Sequence, residues 1–439
     1  MTRVYYSLYD RLLSQESLTR AFRKVKANNG KPGVDGQTVE AFAQDLPGEI
    51  VMLVSELRDK SYRPQPVKRV TIPKDGGGVR ELGIPTVRDR VVQQALLEIL
   101  QPIFDPGFHP SSYGYRPGHS AHQAVAKAEL FIRTYNLRHV VDMDLSRCFD
   151  TLNHDLILVG LRKRVVDGSV LGLVRQFLQS GVMTGNGWIE VEEGSPQGGV
   201  ISPLLANIYL DAFDQEMKSR GHRIVRYADD ILILTRSKSA AENALKQASR
   251  YLEEELKLTV NPQKTEVVNS RDGVKFLGMV IHTGYTRIRE KKVCGLKEKV
   301  RKITRRNSPV NLEKVIKDLN PVLRGFANYF KAANCKVVFK ELAKWIRRRL
   351  RAKQLKLWKK PRRLHRRLRQ LGYKGGFAWI KMSSWRNSAS PLANFAIGND
   401  YLRELGLFDL GSVRTAAAAS SKRGWNGHEP YTRPVRTVL

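Results

Sequence analysis

Cysteine is scarce in this sequence. The 439 residues include three, at Cys148, Cys294 and Cys335. They stand far apart and form no Cys-x-x-Cys pair, which excludes a zinc ribbon and gives no disulfide framework. The simplest interpretation is a chain that resides in a reducing compartment.

Long hydrophobic runs are also missing. No run of eighteen apolar residues occurs, and residues 1–6 lack the apolar core of a signal peptide. The sequence therefore predicts a soluble intracellular protein with no membrane partner. Its 41% hydrophobic content is normal for a globular chain, and its length suits about three domains.

Acidic residues are too few to balance the basic ones. The chain has 42 Asp and Glu against 76 Lys and Arg, which gives a formal net charge of +34. Such a surplus repels itself in a compact fold unless a polyanion is nearby, so the composition favours a nucleic-acid partner. A basic solubilising surface is the alternative.

Two of the few acids stand side by side in Tyr227-Ala228-Asp229-Asp230. The apolar runs on either side, 223–226 and 231–235, have the length of strands and predict a buried hairpin with two carboxylates at its turn. Two such charges about 4 Å apart repel by about 4 kcal/mol at an effective dielectric of about 20, so they need cations or protons nearby. Divalent magnesium suits them; an ordinary turn is the alternative.

A second apolar run, 139–141, also leads into acids. Asp142 and Asp144 follow it, and Phe149 comes five residues after Asp144. A second strand that ends in carboxylates favours a shared metal site over a pair of ordinary turn residues.

The segment 66–85 reads as strand, turn and strand around Asp75-Gly76-Gly77-Gly78. Lys74 offers a mobile point charge and Arg80 a bidentate fork, both suited to nucleotide phosphates. An exposed hairpin with ordinary surface cations is the alternative.

Two loops are candidates for nucleotide contacts. Residues 111–120 contain Tyr113, Tyr115 and Arg116, which suit stacking on template nucleotides or, for the tyrosines, core packing. Residues 193–203 form a glycine-rich turn that enters an apolar helix and holds Gln197, a place suited to a nucleotide or primer end. A plain junction between a loop and a helix would look similar.

The composition changes beyond about residue 286. Residues 341–370 contain one acid, Glu341, and two apolar helical stripes separated by Pro361. The remaining faces are almost wholly basic, which favours nucleic acid over an anionic membrane. The candidate RNA-binding residues are Arg347, Arg348, Arg351, Arg362 and Arg366.

Together these motifs resemble the group II intron-encoded reverse transcriptases. The resemblance covers residues from about 15 to 375. It also includes the segments 33–36, 72–74, 82–85, 258–265, 276–278 and 319–330. It implies an α+β right-hand polymerase with fingers and palm at 1–285, a helical thumb (the maturase, or X, domain) at 286–375, and a C-terminal DNA-binding region or tail at 376–439.

The resemblance also implies roles for single residues. Asp144, Asp229 and Asp230 become the catalytic acids that hold two Mg²⁺ ions, and Phe149 becomes the steric gate beneath the sugar. Lys74, Arg80, Gln197 and Lys264 complete the site for a deoxynucleoside triphosphate.

The implied partners are the intron RNA, an RNA template with a DNA or RNA primer, and target DNA, in a bacterial cytoplasm with nucleoid association on DNA. The tail is too short and too poor in Cys and His for a His-Asn-His endonuclease, as in the group IIC lineage, so we expect priming from a pre-existing 3′ end. Two alternatives stay open: a related polymerase domesticated for DNA repair or phage defence, and a splicing-only RNA-binding maturase.

Overall fold

The computed structural model describes residues 3–73, 78–184, 187–189, 193–195, 198–377, 379–382, 384 and 386–416. The chain divides into two compact units, Met1–Leu277 and Gly278–Leu439. The division falls before the change of composition at residue 286.

The helices of the first unit begin at side-chain caps. Ser14 caps α1 by accepting a hydrogen bond from the backbone N–H of Ser17, and Ser120 and Gln123 form a capping box on α5. The helices are α1 (Gln15–Asn28), α2 (Val39–Gln44), α3 (Leu46–Arg58), α4 (Val87–Phe104), α5 (Ala121–Arg133), α6 (His154–Arg162), α7 (Gly168–Leu178), α8 (Ser202–Ser219) and α9 (Lys238–Arg250).

The strands of the first unit, apart from the last one, form two sheets. They are β1 (Val67–Pro73), β2 (Val79–Ile84), β3 (His139–Met143), β4 (Val182–Thr184), β5 (Gly187–Ile189), β6 (Arg223–Tyr227), β7 (Asp230–Thr235), β8 (Glu266–Asn269) and β9 (Val274–Phe276). One sheet has the order β2-β1-β4-β5, in which β1 and β2 form the predicted antiparallel hairpin. The other sheet, with the order β6-β7-β3-β8, is antiparallel throughout.

Helices cover the second of these sheets. α5 and α8 pack against β6, and α9 packs against β3 and β7. Val140 and Val141 point to opposite faces of β3, yet both are fully buried. Burial on both faces explains why these strands lack polar alternation in the sequence.

The second unit begins with the antiparallel hairpin β10 (Met279–Ile281) and β11 (Thr286–Ile288) and is otherwise mainly helical. Its helices are α10 (Glu290–Ile303), α11 (Leu312–Phe330), α12 (Lys336–Trp358), α13 (Pro361–Gln370), α14 (Pro391–Ala396) and α15 (Asn399–Glu404). Pro361 opens α13, and the predicted stripe positions Leu350 and Leu364 are fully buried. Leu371 is exposed because α13 ends at Gln370. In the described parts of the chain, no helix combines the length and the apolar character needed to cross a membrane.

Candidate active site

The β6–β7 hairpin confirms the predicted hairpin and refines its turn. Tyr227 pairs with Asp230, so the two-residue turn consists of Ala228 and Asp229, and Asp230 already belongs to β7. Ala228 has a φ of 58°, a left-handed conformation that costs a non-glycine residue about 1–2 kcal/mol. Such a conformation persists where the surrounding structure holds it.

The loop 111–116 holds this turn from one side. The backbone N–H of Tyr113 donates to the carbonyl of Arg226 over 2.9 Å. Gly114 follows, and a Cβ built there would collide with the backbone nitrogen of Ala228, so the close approach requires glycine. Tyr113 is buried, as the core alternative expected, and Arg116 is paired with Asp105 rather than held ready for a template.

The sheet with the order β6-β7-β3-β8, which we call the palm sheet, brings the three predicted acids to one edge. Met143, the last residue of β3, pairs with Ile231 of β7. Asp144 directly follows Met143 and Asp230 directly precedes Ile231, so both lie at the same end of the sheet, next to Asp229 in the turn. The two sequence motifs therefore meet at one place in the fold, and the role of their acids as metal ligands stays a prediction.

The carboxylate of Asp144 already has cationic and polar partners. Its Oδ2 accepts from Nζ of Lys264 over 3.0 Å and from Nδ2 of Asn261 over 3.3 Å. The side chain of Lys264 is 65% exposed and that of Asp144 is 33% exposed. Because solvent screens such a pair, it is worth less than about 1 kcal/mol.

The acids at this edge interact electrostatically. Desolvation by the surrounding protein, together with the negative charges of Asp229 and Asp144, raises the pKa of Asp230 to about 6, although Lys264 opposes the rise. Asp142, for which the sequence predicts no catalytic or metal-binding role, also belongs to this group. Desolvation and the charges of Asp230 and Glu266 raise its pKa to about 7, and strand alternation puts it on the same face as Asp144.

The donor chemistry of this edge fits a hard divalent cation. Asp144, Asp229 and Asp230 offer oxygen ligands, which Mg²⁺ prefers, and a bound cation would relieve the repulsion that raises the pKa of Asp230. Within the described ranges, however, no group of three or more His, Cys, Asp or Glu is arranged as a ready-made metal site. The carboxylates therefore have the chemistry of a magnesium site but not its closed geometry.

Phe149 is buried, with one contact at its ring and one at its backbone. Its ring meets the ring of Tyr115 edge-on, with centroids 6.1 Å apart and an interplanar angle of 82°. Its carbonyl accepts from the backbone N–H of Ser195 over 2.7 Å. Ser195, in the glycine-rich turn, is thus hydrogen-bonded to the backbone of the proposed sugar gate.

The structure describes only some of the other residues predicted to contact the nucleotide. Arg80 is exposed on β2, and its charge opposes the rise in the pKa of Tyr115 that burial and Asp229 cause, so it acts electrostatically on this site. Gly198, at the end of the glycine-rich turn, lies so close to the carbonyl of Gly83 on β2 that a side chain would collide there. Lys74 and Gln197 lie outside the described residues.

The five candidate RNA-binding arginines differ in their surroundings. Arg348, Arg362 and Arg366 are exposed on α12 and α13. Arg347 is half-buried, with Nη1 3.3 Å from Asp409. Arg351 is buried and donates to the carbonyl of Ile397 over 2.8 Å and to Oδ1 of Asn399 over 2.9 Å, so its prediction as an RNA contact is not retained.

Two protein-family models match this chain. A reverse transcriptase (RNA-dependent DNA polymerase) model matches residues 72–281, and the maturase-specific domain of group II introns matches residues 293–372. Protein YkfC of Escherichia coli (strain K12) is 35% identical over 308 residues, which cover 61% of this chain and 81% of that protein. The chain belongs to the group II intron reverse transcriptase and maturase family. Its enzyme class is RNA-directed DNA polymerase.

Two further members of the family are similar over parts of their length. Group II intron-encoded protein LtrA of Lactococcus lactis subsp. cremoris is 27% identical over 343 residues, 63% of this chain and 56% of LtrA. The putative COX1/OXI3 intron 2 protein of Saccharomyces cerevisiae is 26% identical over 316 residues, 59% of this chain and 37% of the yeast protein. The chain thus spans little more than half of LtrA. The resemblance seen in the motifs is confirmed.

Proposed function

We propose that this reverse transcriptase extends a primer on an RNA template with Asp144, Asp229 and Asp230 as the ligands of two Mg²⁺ ions. The observation that carries the proposal is the convergence of β3 and the β6–β7 turn at one edge of the palm sheet. Bound magnesium would lower the pKa of the primer 3′-hydroxyl and neutralise charge on the leaving pyrophosphate.

Lys264 forms an ion pair with Asp144. The pair is exposed and weak, so it would be no obstacle to a divalent ion held by Asp144. The ammonium group of Lys264 would then be free to contact the phosphates of the nucleotide. Together with Lys74, Arg80 and Gln197, it forms the proposed contacts to the deoxynucleoside triphosphate.

The second unit supplies the proposed maturase surface. Arg348, Arg362 and Arg366 are exposed on α12 and α13 within the maturase-specific match, and Arg347 lies beside them. This surface suits the phosphate backbone of structured intron RNA, with target DNA as a further polyanionic partner. We infer action in the bacterial cytoplasm, on the nucleoid when DNA is engaged. The maturase match disfavours a role in repair or phage defence alone.

Primer extension tests the polymerase assignment. The purified chain should extend a DNA primer annealed to an RNA template with deoxynucleotides, stop when divalent ions are chelated, and resume when Mg²⁺ is restored. Asp144→Asn should lower the extension rate by at least about 100-fold, because a lost metal ligand removes several kcal/mol of transition-state stabilisation.

Asp155→Asn is the matched control, because Asp155 is an exposed acid on α6 with only a surface partner, Arg175. It should extend at the wild-type rate. An Asp144→Asn variant that extends as fast as this control would exclude Asp144 from the active site.

A further inference from the structure

A charged pair lies completely buried beneath the β6–β7 hairpin. Arg226 on β6 and Asp214 on α8 have no exposed side-chain surface. The carboxylate of Asp214 accepts from Nε of Arg226 over 2.9 Å and from Nη2 over 2.6 Å. This two-point pairing fixes the plane of the guanidinium group.

The remaining guanidinium nitrogen points to the turn. Nη1 of Arg226 donates to the carbonyl of Ala228 and to Oδ1 of Asn207, each over 3.0 Å. Asn207 in turn donates from Nδ2 to the carbonyl of Gly114 over 2.9 Å. The strained residue Ala228 is thereby held at its carbonyl by Arg226 and at its nitrogen by the close approach of Gly114.

Stability alone does not account for this arrangement. A buried ion pair can often be replaced by apolar residues of similar volume without loss of stability, because desolvation offsets the attraction between the charges. What an apolar pair cannot provide is a planar donor aimed at one carbonyl. Asp229 directly follows that carbonyl, so the direction of its carboxylate depends on the turn.

We propose that Arg226, oriented by Asp214 and Asn207, is a positioning residue for Asp229. It touches neither primer nor nucleotide; it keeps Ala228 in the left-handed conformation and so holds the Asp229 carboxylate in place. The inference rests on the proposed role of Asp229 as a metal ligand.

The double variant Arg226→Met, Asp214→Leu tests it most sharply. Both charges leave together, so no unpaired buried charge remains, but the carbonyl of Ala228 and Oδ1 of Asn207 each lose a donor. We therefore expect the melting temperature to fall by no more than about 10 °C, and the assay is run at a temperature where the variant is folded. The kcat for extension should nevertheless fall by about 10- to 100-fold, because a displacement of about 1 Å at a reacting group has that effect. The KM for the deoxynucleotide and the Kd for primer-template should stay within about twofold, since no contact with either is removed.

Arg226→Lys is the second variant, in case the double variant does not fold. Lysine keeps the positive charge beside Asp214 but has no planar fork with which to reach Asp214, Asn207 and Ala228 together. Its kcat should also fall with KM unchanged, and its affinity for Mn²⁺, followed by the EPR signal of the free ion, should weaken.

Leu18→Ala is the control for simple destabilisation, because Leu18 is fully buried in α1 and makes a core contact only. At a temperature where it remains folded, its kcat should equal that of wild type. A folded double variant, or a folded Arg226→Lys, with kcat within about twofold of wild type would overturn the inference, as would a loss that only follows the unfolded fraction. Failure of wild type to extend, or full activity of Asp229→Asn, would instead refute the proposed function.

Discussion

The ring of Phe149 is buried and meets the ring of Tyr115 edge-on, and the backbone carbonyl of Phe149 accepts a hydrogen bond from the N–H of Ser195. A buried ring on an anchored backbone does not move aside easily for an extra hydroxyl group. We therefore expect Phe149→Ala to raise ribonucleotide incorporation relative to deoxynucleotide incorporation by about 10- to 100-fold. The ratio of kcat/KM values for the two nucleotides measures this.

Phe149→Tyr is the control for that experiment, because it keeps the ring and should keep the discrimination. Removal of a buried aromatic ring costs about 3–5 kcal/mol of stability, so the assay belongs well below the melting temperature. Equal discrimination by a folded Phe149→Ala variant would move the steric gate to another residue.

Single residues differ in how far the sequence predicts their roles. Asp144 and Asp229 were recognisable because each follows an apolar run of strand length. Arg226 was overlooked, although a charge next to buried apolar residues in such a run is a signal for a buried partner. Arg351 was assigned to RNA because helical periodicity does not show which basic positions meet a neighbouring segment, here Ile397 and Asn399.

Helices α12 and α13 present basic faces to solvent. If Arg348, Arg362 and Arg366 contact phosphates, their replacement by Gln should weaken intron RNA binding. The slope of log affinity against log salt concentration should become shallower by about 2–3. Each lost phosphate contact reduces the magnitude of that slope by about 0.7–0.9. Extension at saturating primer-template should fall much less, and splicing assistance should fail first.

A second triple variant, which changes the net charge by the same amount, is the control. Lys238, Lys246 and Arg250 are exposed on α9, and their replacement by Gln removes the same three charges elsewhere. If both triple variants bind intron RNA with the same affinity and salt slope, α12 and α13 are not the RNA-binding surface and the effect is one of net charge.

Whole elements were predicted best where burial imposes a pattern. The β6–β7 and β1–β2 hairpins lie where the apolar runs placed them. Between them the structure forms α6 and α7 as separate helices, and Asp167 caps α7 through its side chain. The short strands β4 and β5 gave no signal, because three residues are too few to show a period.

The whole chain joins a polymerase unit to a strongly basic helical unit. The sequence predicts their boundary at residue 286, where the charge changes. In the structure the second compact unit begins at Gly278. A composition shift reports the surface of a domain and not its core, which explains the difference. The expected DNA-binding role of residues 376–439 stays a prediction, and residues 417–439 lie outside the described part of the chain.

The number of divalent ions bound at the palm edge can be counted directly. A Mn²⁺ titration of the complex with primer-template and a non-hydrolysable deoxynucleotide, followed by EPR of the free ion, should give two tightly bound ions for wild type. Asp229→Asn should lose at least one of them while Asp155→Asn keeps both. Equal numbers of bound ions in wild type and Asp229→Asn would contradict the assignment of this edge as the metal site.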